Sequence, residues 1–351
     1  MTQQPQEETA KRGFGSDNHS GAHPRILDAV VRANVGHQPS YGTDELTREC
    51  ERVFKKLFGE KTESFFVFNG TAANVLALGT LVRSHHAILA SNNAHIVNDE
   101  CGAPEAWLGA KIQIVPTTDG KLTPELMQPF MVRRGDQHAS QVKAISITQP
   151  TEIGTVYSLH EIQRIAEFAK ANGLKLHIDG ARLVNAVAAL GCTFREMVEY
   201  ADVVSFGGTK NALLFGEAVL FPNGLHDPDF RFQRKQTMQL PSKTRFVAAQ
   251  FLELLGTDLW KENAEHANSM AQKLASGLGR SAHAKLTQKV QANGCFVILP
   301  KALVSKLREH YFFYVWDEHT FECRLMTSWD TQESDIDGFL EKLELLGRDL
   351  V

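Results

Sequence analysis

The stretch Ala201-Asp-Val-Val-Ser-Phe-Gly-Gly-Thr-Lys210-Asn211 combines an apolar run, a group of small residues and a single lysine. This pattern predicts a buried strand that presents Lys210 at its tip. Lysine is among the residues least often buried without a partner. Taken alone, the stretch fits a solvated loop lysine. It also fits an amine made nucleophilic by desolvation, which can form a Schiff base with an aldehyde such as pyridoxal phosphate.

A second strand upstream favours the Schiff-base interpretation. The segment Leu174-Lys-Leu-His-Ile178 alternates in polarity and runs directly into Asp179-Gly-Ala-Arg182. An acid and a lysine would then stand at the ends of two parallel strands. Asp179 would keep a pyridine nitrogen protonated, and Lys210 would hold the aldehyde carbon of the same cofactor.

The order of predicted elements is that of an α/β protein. Capping-box patterns at Ser158 and Thr193 predict helix starts between the strands. Such alternation implies a mostly parallel sheet with ligands bound beyond the carboxyl ends of its strands. The predicted strands of this sheet cover 65–68, 86–90, 111–115, 144–148, 174–178 and the lysine strand.

Three regions are predicted along the chain. Residues 1–12 form a flexible tail, 13–255 a large cofactor-binding domain and 256–351 a small α/β domain. The small domain should contain an amphipathic helix beginning near Trp260, because apolar residues recur there every three or four positions.

Composition limits the classes of function. The chain has 351 residues, of which 43% are hydrophobic and 22% charged, as expected for a soluble globular protein. A net charge of −4 offers no general attraction to nucleic acid or an anionic membrane. Five scattered cysteines indicate reduced thiols in a cytoplasmic protein. We see no signal peptide, no membrane span and no metal site, since the adjacent His85 and His86 side chains would point apart on a strand.

Three motifs together resemble a known family. His-Ile-Asp-Gly-Ala-Arg (177–182), Gly-Gly-Thr-Lys (207–210) and Asn-Gly-Thr-Ala-Ala-Asn (69–74) resemble the signatures of the low-specificity L-threonine aldolases. These are pyridoxal 5'-phosphate enzymes of fold type I, the aspartate-aminotransferase-like fold, and are grouped with the β-eliminating lyases. The resemblance implies cleavage of L-threonine, L-allo-threonine and other β-hydroxy-α-amino acids, such as phenylserine, to glycine and an aldehyde. It also implies a homotetramer built from close dimers.

Other functions share part of this pattern. A β-eliminating lyase, an aminotransferase or a glycine hydroxymethyltransferase could use the same Asp–Lys pair, although the chain is short for the last of these. A non-catalytic cofactor-binding protein is the alternative from a different class. The presence of Lys210, Asp179, His95 and two candidate arginines favours an enzyme.

The cofactor phosphate needs a binding place. Gly70 and Thr71 lie between a strand and a helix, so their backbone N–H groups and the helix dipole could hold an anion; an ordinary turn would use the same residues. The resemblance adds Lys235 and Lys243 as phosphate neighbours, acting in their own subunit or in an adjacent one. The family often has an arginine at the position of Lys243, and lysine lacks its bidentate fork.

His95 is the candidate for proton transfer. A lone histidine there is commonly a hydrogen-bonded structural residue, but the resemblance implies a ring stacked on the pyridine, near the substrate hydroxyl. His95, or a water that it positions, would then take the hydroxyl proton. Glu100 would orient groups of the site.

The remaining candidates concern the substrate. Arg182 fits a guanidinium that binds an amino-acid carboxylate bidentately. By resemblance Arg324 is a second carboxylate ligand, although an exposed strand arginine paired with Glu322 or a neighbour fits the same pattern. The pair Ser16-Asp17 resembles a family motif that approaches the same carboxylate, and Ser16 is a candidate to bind it. Glu152 stands where many family members have a histidine linked to the stereochemistry of the β-hydroxyl. The preference between threonine and allo-threonine is therefore open, and we expect low specificity at the β-carbon.

Overall fold

The structure is a computed structural model that describes residues 12–348. The predicted N-terminal tail, apart from Arg12, lies outside the described residues. The helices are α1 (Pro24–Ala33), α2 (Glu45–Phe58), α3 (Gly70–Gly79), α4 (His95–Asn98), α5 (Ala103–Leu108), α6 (Pro124–Met127), α7 (Leu159–Asn172), α8 (Leu183–Leu190), α9 (Phe194–Val198), α10 (Phe230–Gln236), α11 (Arg245–Leu255), α12 (Leu259–Leu278), α13 (Lys301–Arg308) and α14 (Glu333–Arg348). The strands are β1 (Glu63–Val67), β2 (His86–Ser91), β3 (Lys111–Val115), β4 (Gln141–Thr148), β5 (Lys175–Gly180), β6 (Val203–Gly207), β7 (Glu217–Phe221), β8 (Lys285–Leu286), β9 (Gly294–Ile298), β10 (Tyr314–Asp317) and β11 (Glu322–Met326).

Seven strands form the larger sheet, in the order β1-β7-β6-β5-β4-β2-β3. Strand β7 is antiparallel to both of its neighbours, and the other pairings are parallel. All five residues of β6 are buried, as expected for a strand covered on both faces. The carboxyl ends of β1, β2, β4, β5 and β6 therefore meet at one edge, where ligands bind in such sheets.

Local signals start and stop the helices as the sequence predicts. Ser158 accepts a hydrogen bond from the Glu161 amide, and Glu161 accepts one from the Ser158 amide, so the capping box before α7 is closed. Thr193 and Glu196 form the same motif before α9. Helix α7 ends at Gly173, whose φ of 65° suits a residue without a Cβ.

The smaller sheet is fully antiparallel, in the order β10-β11-β9-β8, and covers a second hydrophobic core. Helix α12 contributes Leu259 and Ala264 to the first core and Leu274 to the second. Phe14 is also buried in the second core, although residue 13 begins the predicted large domain. The domain boundaries therefore stay a prediction. None of the helices between residues 12 and 348 is long and apolar enough to cross a membrane.

The first core contains a cluster of phenylalanine rings. Phe54 of α2 is fully buried, and its ring centroid lies 5.6–6.1 Å from those of Phe66, Phe206 and Phe251, on β1, β6 and α11. It therefore joins two helices to the strand that leads to Lys210. Tilted and edge-to-face contacts of this kind add to the free energy gained from burial.

We expect Phe54→Ala to lower the free energy of unfolding by about 3–5 kcal/mol, because it leaves a cavity among these rings. Urea unfolding followed by circular dichroism measures the change. The matched control is Phe232→Ala, which removes a ring that is 74% exposed and should change stability by about 0.5 kcal/mol or less. A loss below about 1 kcal/mol in the Phe54 variant would mean that the core refills the space.

Candidate active site

Two adjoining cavities open at the carboxyl edge of the larger sheet. The inner cavity has a volume of about 340 Å³ and the outer one about 760 Å³, and both are lined by Asn18, His95 and Lys210. Residues of the inner cavity include Gly70, Thr71, Asn74, Asp179, Ser205 and Glu217. Residues of the outer cavity include Ser16, Glu152, Arg182, Tyr314, Trp316 and Arg324. Most of the predicted site residues thus lie together.

Lys210 lies in a 3₁₀ turn (Thr209–Asn211) directly after β6. The turn passes very close to the end of β5, because a Cβ on Gly207 would lie 2.1 Å from the carbonyl oxygen of Ala181. Only glycine fits there. The turn is fixed from the other side by Glu217 of β7, whose carboxylate accepts a 2.6 Å hydrogen bond from the Gly208 amide. Burial raises the pKa of Glu217 to about 7, although hydrogen bonds from Thr209 and Gly208 oppose the rise.

Asp179 is held by a buried network. Its side chain, in a residue that is 4% exposed, accepts hydrogen bonds from Asn74 Nδ2 at 2.9 Å and from the Ala181 amide at 3.1 Å. The same Asn74 nitrogen donates to Glu100 Oε1 at 2.7 Å, and this oxygen also accepts from His95 Nδ1 at 2.8 Å. The predicted acid and the predicted histidine are therefore connected through Asn74 and Glu100.

The network determines the charge of His95. Burial disfavours a charged imidazole, but the hydrogen bond to Glu100 and the negative charges of Glu152 and Asp179 outweigh it. The pKa of His95 is therefore raised above its ordinary value. The imidazole keeps its second proton to a higher pH than a free histidine would.

The start of α3 is a suitable place for an anion. Asn69 caps this ten-residue helix by accepting from the Ala72 amide, and Gly70 and Thr71 line the inner cavity. The N–H groups of a first helical turn have no partners within the helix, and the helix dipole favours negative charge beside them.

Arg182 forms a bidentate ion pair with Asp17 of the N-terminal segment. Its Nε and Nη2 donate to the two carboxylate oxygens of Asp17 at 2.6 and 2.8 Å. Asn293 adds a third hydrogen bond to Asp17, at 3.1 Å. Burial alone would raise the pKa of Asp17, but Arg182 beside it lowers it. This bidentate pair leaves Nη1 of Arg182 for a ligand in the outer cavity.

Arg324 enters the outer cavity from β11. Its guanidinium lies over the rings of Tyr314 and Trp316, with centroid distances of 5.2 and 4.9 Å, and donates to the Gly15 carbonyl at 3.1 Å. Burial and repulsion from Arg182 lower the pKa of Arg324. A carboxylate bound between the two guanidinium groups would relieve this repulsion. The predicted alternative, an exposed ion pair with Glu322 or a neighbour, does not occur among residues 12–348: Arg324 is half-buried and donates to a backbone carbonyl, and the Glu322 side chain accepts from Thr287.

Two predicted residues lie elsewhere. The Lys235 ammonium is 4.8 Å from the ring centroid of Tyr41, and Lys243 borders a separate surface cavity with Ser40 and Arg245. Within the part of the chain that the structure describes, neither lysine lines the inner or the outer cavity. Their role at the phosphate stays a prediction.

Several residues of the site were missed in the sequence. Asn74 follows Gly70 by one helical turn within the quoted motif, so its position facing the cavity could have been inferred. Asp17 belongs to the Ser16-Asp17 motif expected near the substrate carboxylate, but its bidentate pair with Arg182 was not predicted. Asn293 and Glu217 gave no local signal, since their contacts join segments that are far apart in the chain.

Comparisons with known proteins agree with this geometry. The model of the Beta-eliminating lyase family matches residues 13–301. The chain belongs to the beta-eliminating lyase family. It is 41% identical to a low specificity L-threonine aldolase of Pseudomonas sp. (strain NCIMB 10558) over 96% of both chains, and equally similar to one of Pseudomonas aeruginosa. A solved structure of threonine aldolase from Leishmania major superposes with a TM-score of 0.90 at 30% sequence identity. The superposition covers 95% of this chain and 99% of the Leishmania chain. The predicted family and α/β fold class are confirmed.

Members of the beta-eliminating lyase and threonine aldolase family use pyridoxal phosphate, and the residues present fit that group. The inner cavity offers an amine at Lys210, a buried carboxylate at Asp179 for a ring nitrogen and the start of α3 for a phosphate. These three groups match the aldehyde, the pyridinium and the anion of the cofactor.

Three buried polar side chains, Ser146, His177 and Ser205, form a hydrogen-bonded row that ends at the inner cavity, which Ser205 lines. His177 is fully buried on β5, with Nδ1 2.9 Å from Ser146 Oγ and Nε2 2.9 Å from Ser205 Oγ. A neutral imidazole can donate to one hydroxyl and accept from the other, so both serines are satisfied. Burial lowers the pKa of His177 to about 4, with only weak opposition from Asp179.

We expect His177 to make stability depend on pH. The unfolded chain takes up a proton near pH 6.5 and the folded chain only near pH 4, so folding stability is complete above pH 6.5 and falls between those values. Relative to His177→Gln, the wild type should lose about 3 kcal/mol across this window. Urea unfolding at several pH values measures the difference, with the exposed His138→Gln as the control. Parallel profiles for the wild type and His177→Gln would contradict the expectation.

Proposed function

We propose that the protein is a low-specificity L-threonine aldolase, an aldehyde-lyase that uses pyridoxal 5'-phosphate. It cleaves the Cα–Cβ bond of L-threonine, L-allo-threonine and related β-hydroxy-α-amino acids such as phenylserine, and releases glycine and an aldehyde. The observation that carries the proposal is the 41% identity, over nearly the full length of both chains, to two low specificity L-threonine aldolases. The arrangement of charged groups in the two cavities supports it.

The inner cavity supplies the cofactor-binding groups. When bound, the cofactor supplies an electron-accepting ring conjugated with the substrate nitrogen. Lys210 would hold the aldehyde carbon, and Asp179 would keep a proton on the ring nitrogen. Asn74 fixes one oxygen of Asp179 at 2.9 Å, so the carboxylate keeps its direction. His95 forms part of the wall between the two cavities.

The two arginines orient the substrate. Arg182 and Arg324 both line the outer cavity and repel each other, so a substrate carboxylate between them is attracted by both. Fixing the carboxylate and the amine fixes the rotation about the Cα–N bond. That rotation determines which bond of Cα stands perpendicular to the cofactor ring and therefore which bond breaks.

The outer cavity supports low β-carbon specificity. Its volume of about 760 Å³ far exceeds the space needed by the methyl group of threonine. A pocket discriminates weakly between substituents that it does not contact closely. Larger β-substituents, including aryl groups, therefore have room.

Two further features belong to the same proposal. A homotetramer of close dimers would bring Lys235 and Lys243 to the phosphate of a neighbouring subunit, since neither lines the cavities of its own subunit. We also assign the enzyme to the cytoplasm, since its cysteines are free thiols within the described residues.

The first test of this function is aldehyde release. The purified chain supplied with pyridoxal phosphate should release acetaldehyde from both L-threonine and L-allo-threonine, measured with a coupled alcohol dehydrogenase. Lys210→Ala should abolish turnover, because no other lysine lines the inner cavity among the described residues. Lys261→Ala, an exposed lysine of α12, is the control and should retain full activity. Turnover by the Lys210 variant at the wild-type rate would contradict the assignment of this lysine.

Asp179→Asn tests the acid. The variant keeps the size of the side chain but loses one charge-assisted hydrogen bond, worth roughly 1.5–3 kcal/mol. Expressed in the transition state, this loss lowers kcat about tenfold to a hundredfold. Steady-state kinetics with L-threonine measure the effect, and urea unfolding checks that the variant is folded. A kcat close to that of the wild type would mean that Asp179 does not face the ring nitrogen.

A further inference from the structure

The loop after β4 is a fixed part of the site. All residues from 149 to 157 are buried. Gln149 accepts from the Tyr157 amide at 3.0 Å and donates to the Tyr157 carbonyl at 2.8 Å, which closes the base of the loop. Thr151 and Thr155 are joined by a backbone hydrogen bond of 2.8 Å and by their hydroxyl groups at 2.7 Å. Glu152 lies between these two threonines and is held where the loop meets the outer cavity.

The carboxylate of Glu152 differs from every other buried carboxylate among the described residues. The others all accept hydrogen bonds from protein groups: Asp17, Asp44, Glu100, Asp179 and Glu217. Glu152 is 8% exposed and lines the outer cavity, yet its side chain has no hydrogen bond or ion pair with any residue from 12 to 348. Its oxygens are not among the buried atoms that are closed to solvent, so the carboxylate faces the outer cavity and is available to a ligand there.

The charges around Glu152 suit a proton acceptor. Burial raises its pKa above the usual value; Lys210, Arg182 and His95 oppose this rise, and Asp179 adds to it. Arg324 also interacts electrostatically with the Glu152 carboxylate. A carboxylate whose pKa is raised holds a proton more strongly than an ordinary one, which suits it to accept a proton during a reaction.

His95 is less suited to the same task. Its Nδ1 already donates to Glu100, and its raised pKa keeps the ring protonated to higher pH. A protonated imidazole has two donors and no lone pair, so it cannot accept a proton.

We propose that Glu152 takes the proton of the substrate β-hydroxyl, a step that rests on the proposed aldolase function. The O–H bond breaks, and its electron pair forms the second bond of the aldehyde carbonyl. The Cα–Cβ bond breaks, and its pair stays with Cα. The proton passes to Glu152, which releases it to solvent, and Cα takes up one proton from solvent by a separate route, so glycine and the aldehyde together contain as many atoms of each kind as the substrate.

The test compares Glu152→Gln with the control Glu161→Gln. Glu161 lies in the first turn of α7, directly after the loop and outside both cavities, and a glutamine there can still form the capping box with Ser158. Glu152→Gln should lower kcat for L-threonine cleavage by roughly 10²–10⁴-fold, with little change in KM. Its exchange of the glycine α-proton with deuterium, followed by NMR, should stay close to the wild-type rate, because glycine has no β-hydroxyl. Glu161→Gln should behave as the wild type in both assays.

Two measurements separate an acceptor from a structural residue. Wild-type kcat/KM should fall as the pH drops through the raised pKa of Glu152, because the protonated carboxyl cannot accept; Glu152→Gln should lack this acidic limb. Added formate should restore part of the cleavage rate in Glu152→Ala and none in Glu152→Gln, where the amide fills the space. Glu152→Asp, with a shorter carboxylate, should fall between the wild type and the Gln variant.

A third readout needs no bound cofactor. Because the folded-state pKa of Glu152 is raised, its ionisation costs folding free energy; the cost is absent below the unfolded-state pKa and complete above the folded-state one. In urea unfolding of the cofactor-free full chain near pH 7.5, Glu152→Gln should therefore be at least as stable as the wild type. A destabilised Gln variant would show that Glu152 braces the loop and would overturn the proposal.

The remaining outcomes are equally decisive. Near-wild-type cleavage by Glu152→Gln, or equal losses of cleavage and of glycine exchange, would overturn the role of Glu152 while leaving the aldolase function intact. A wild-type enzyme that releases no aldehyde from either threonine isomer would instead contradict the proposed function itself.

Discussion

The site depends on the side-chain amide of Asn74. Its one NH₂ group donates to two buried carboxylates, Glu100 at 2.7 Å and Asp179 at 2.9 Å. A buried acceptor without a donor costs free energy, and this one amide satisfies an oxygen of each carboxylate. The amide also connects the first turns of α3, the segment after α4 and the end of β5. The positions of the anion site, the histidine and the acid are therefore set by the same pair of hydrogen bonds.

Charged side chains that are paired within the protein have a different function in the site from those that are not paired. Asp17 and Arg182 satisfy each other and form a rigid support, as the bidentate geometry at 2.6 and 2.8 Å indicates. Breaking such a buried pair leaves an uncompensated charge, so it resists movement. Groups that line the outer cavity without an ion pair to any residue from 12 to 348, Glu152 and the guanidinium of Arg324, are available to a ligand.

The features of the fold and the site that could be predicted are those whose signal lies within a short stretch of sequence. Asp179 and Lys210 were predictable because an apolar strand that ends in a polar residue is a local pattern, and because parallel strands bring their carboxyl ends together. The capping boxes of α7 and α9 were local as well. The reversed direction of β7 was not predictable, nor was the bond from Asn293 to Asp17, since these depend on contacts between distant segments. Lys235 and Lys243 were named from the family resemblance, and neither lines the inner or the outer cavity within residues 12–348.

The N-terminal segment has a consequence for the synthesis of the chain. Phe14 is translated well before Phe312 and Met326, yet its backbone bonds to both of them. A nascent chain folds its N-terminal part first, so this segment cannot dock until residues 312–326 have been made. Arg324, the second arginine of the outer cavity, lies in this later part of the chain as well. A nascent chain that has not reached it could expose Lys210 but would lack half of the arginine pair proposed to orient the substrate.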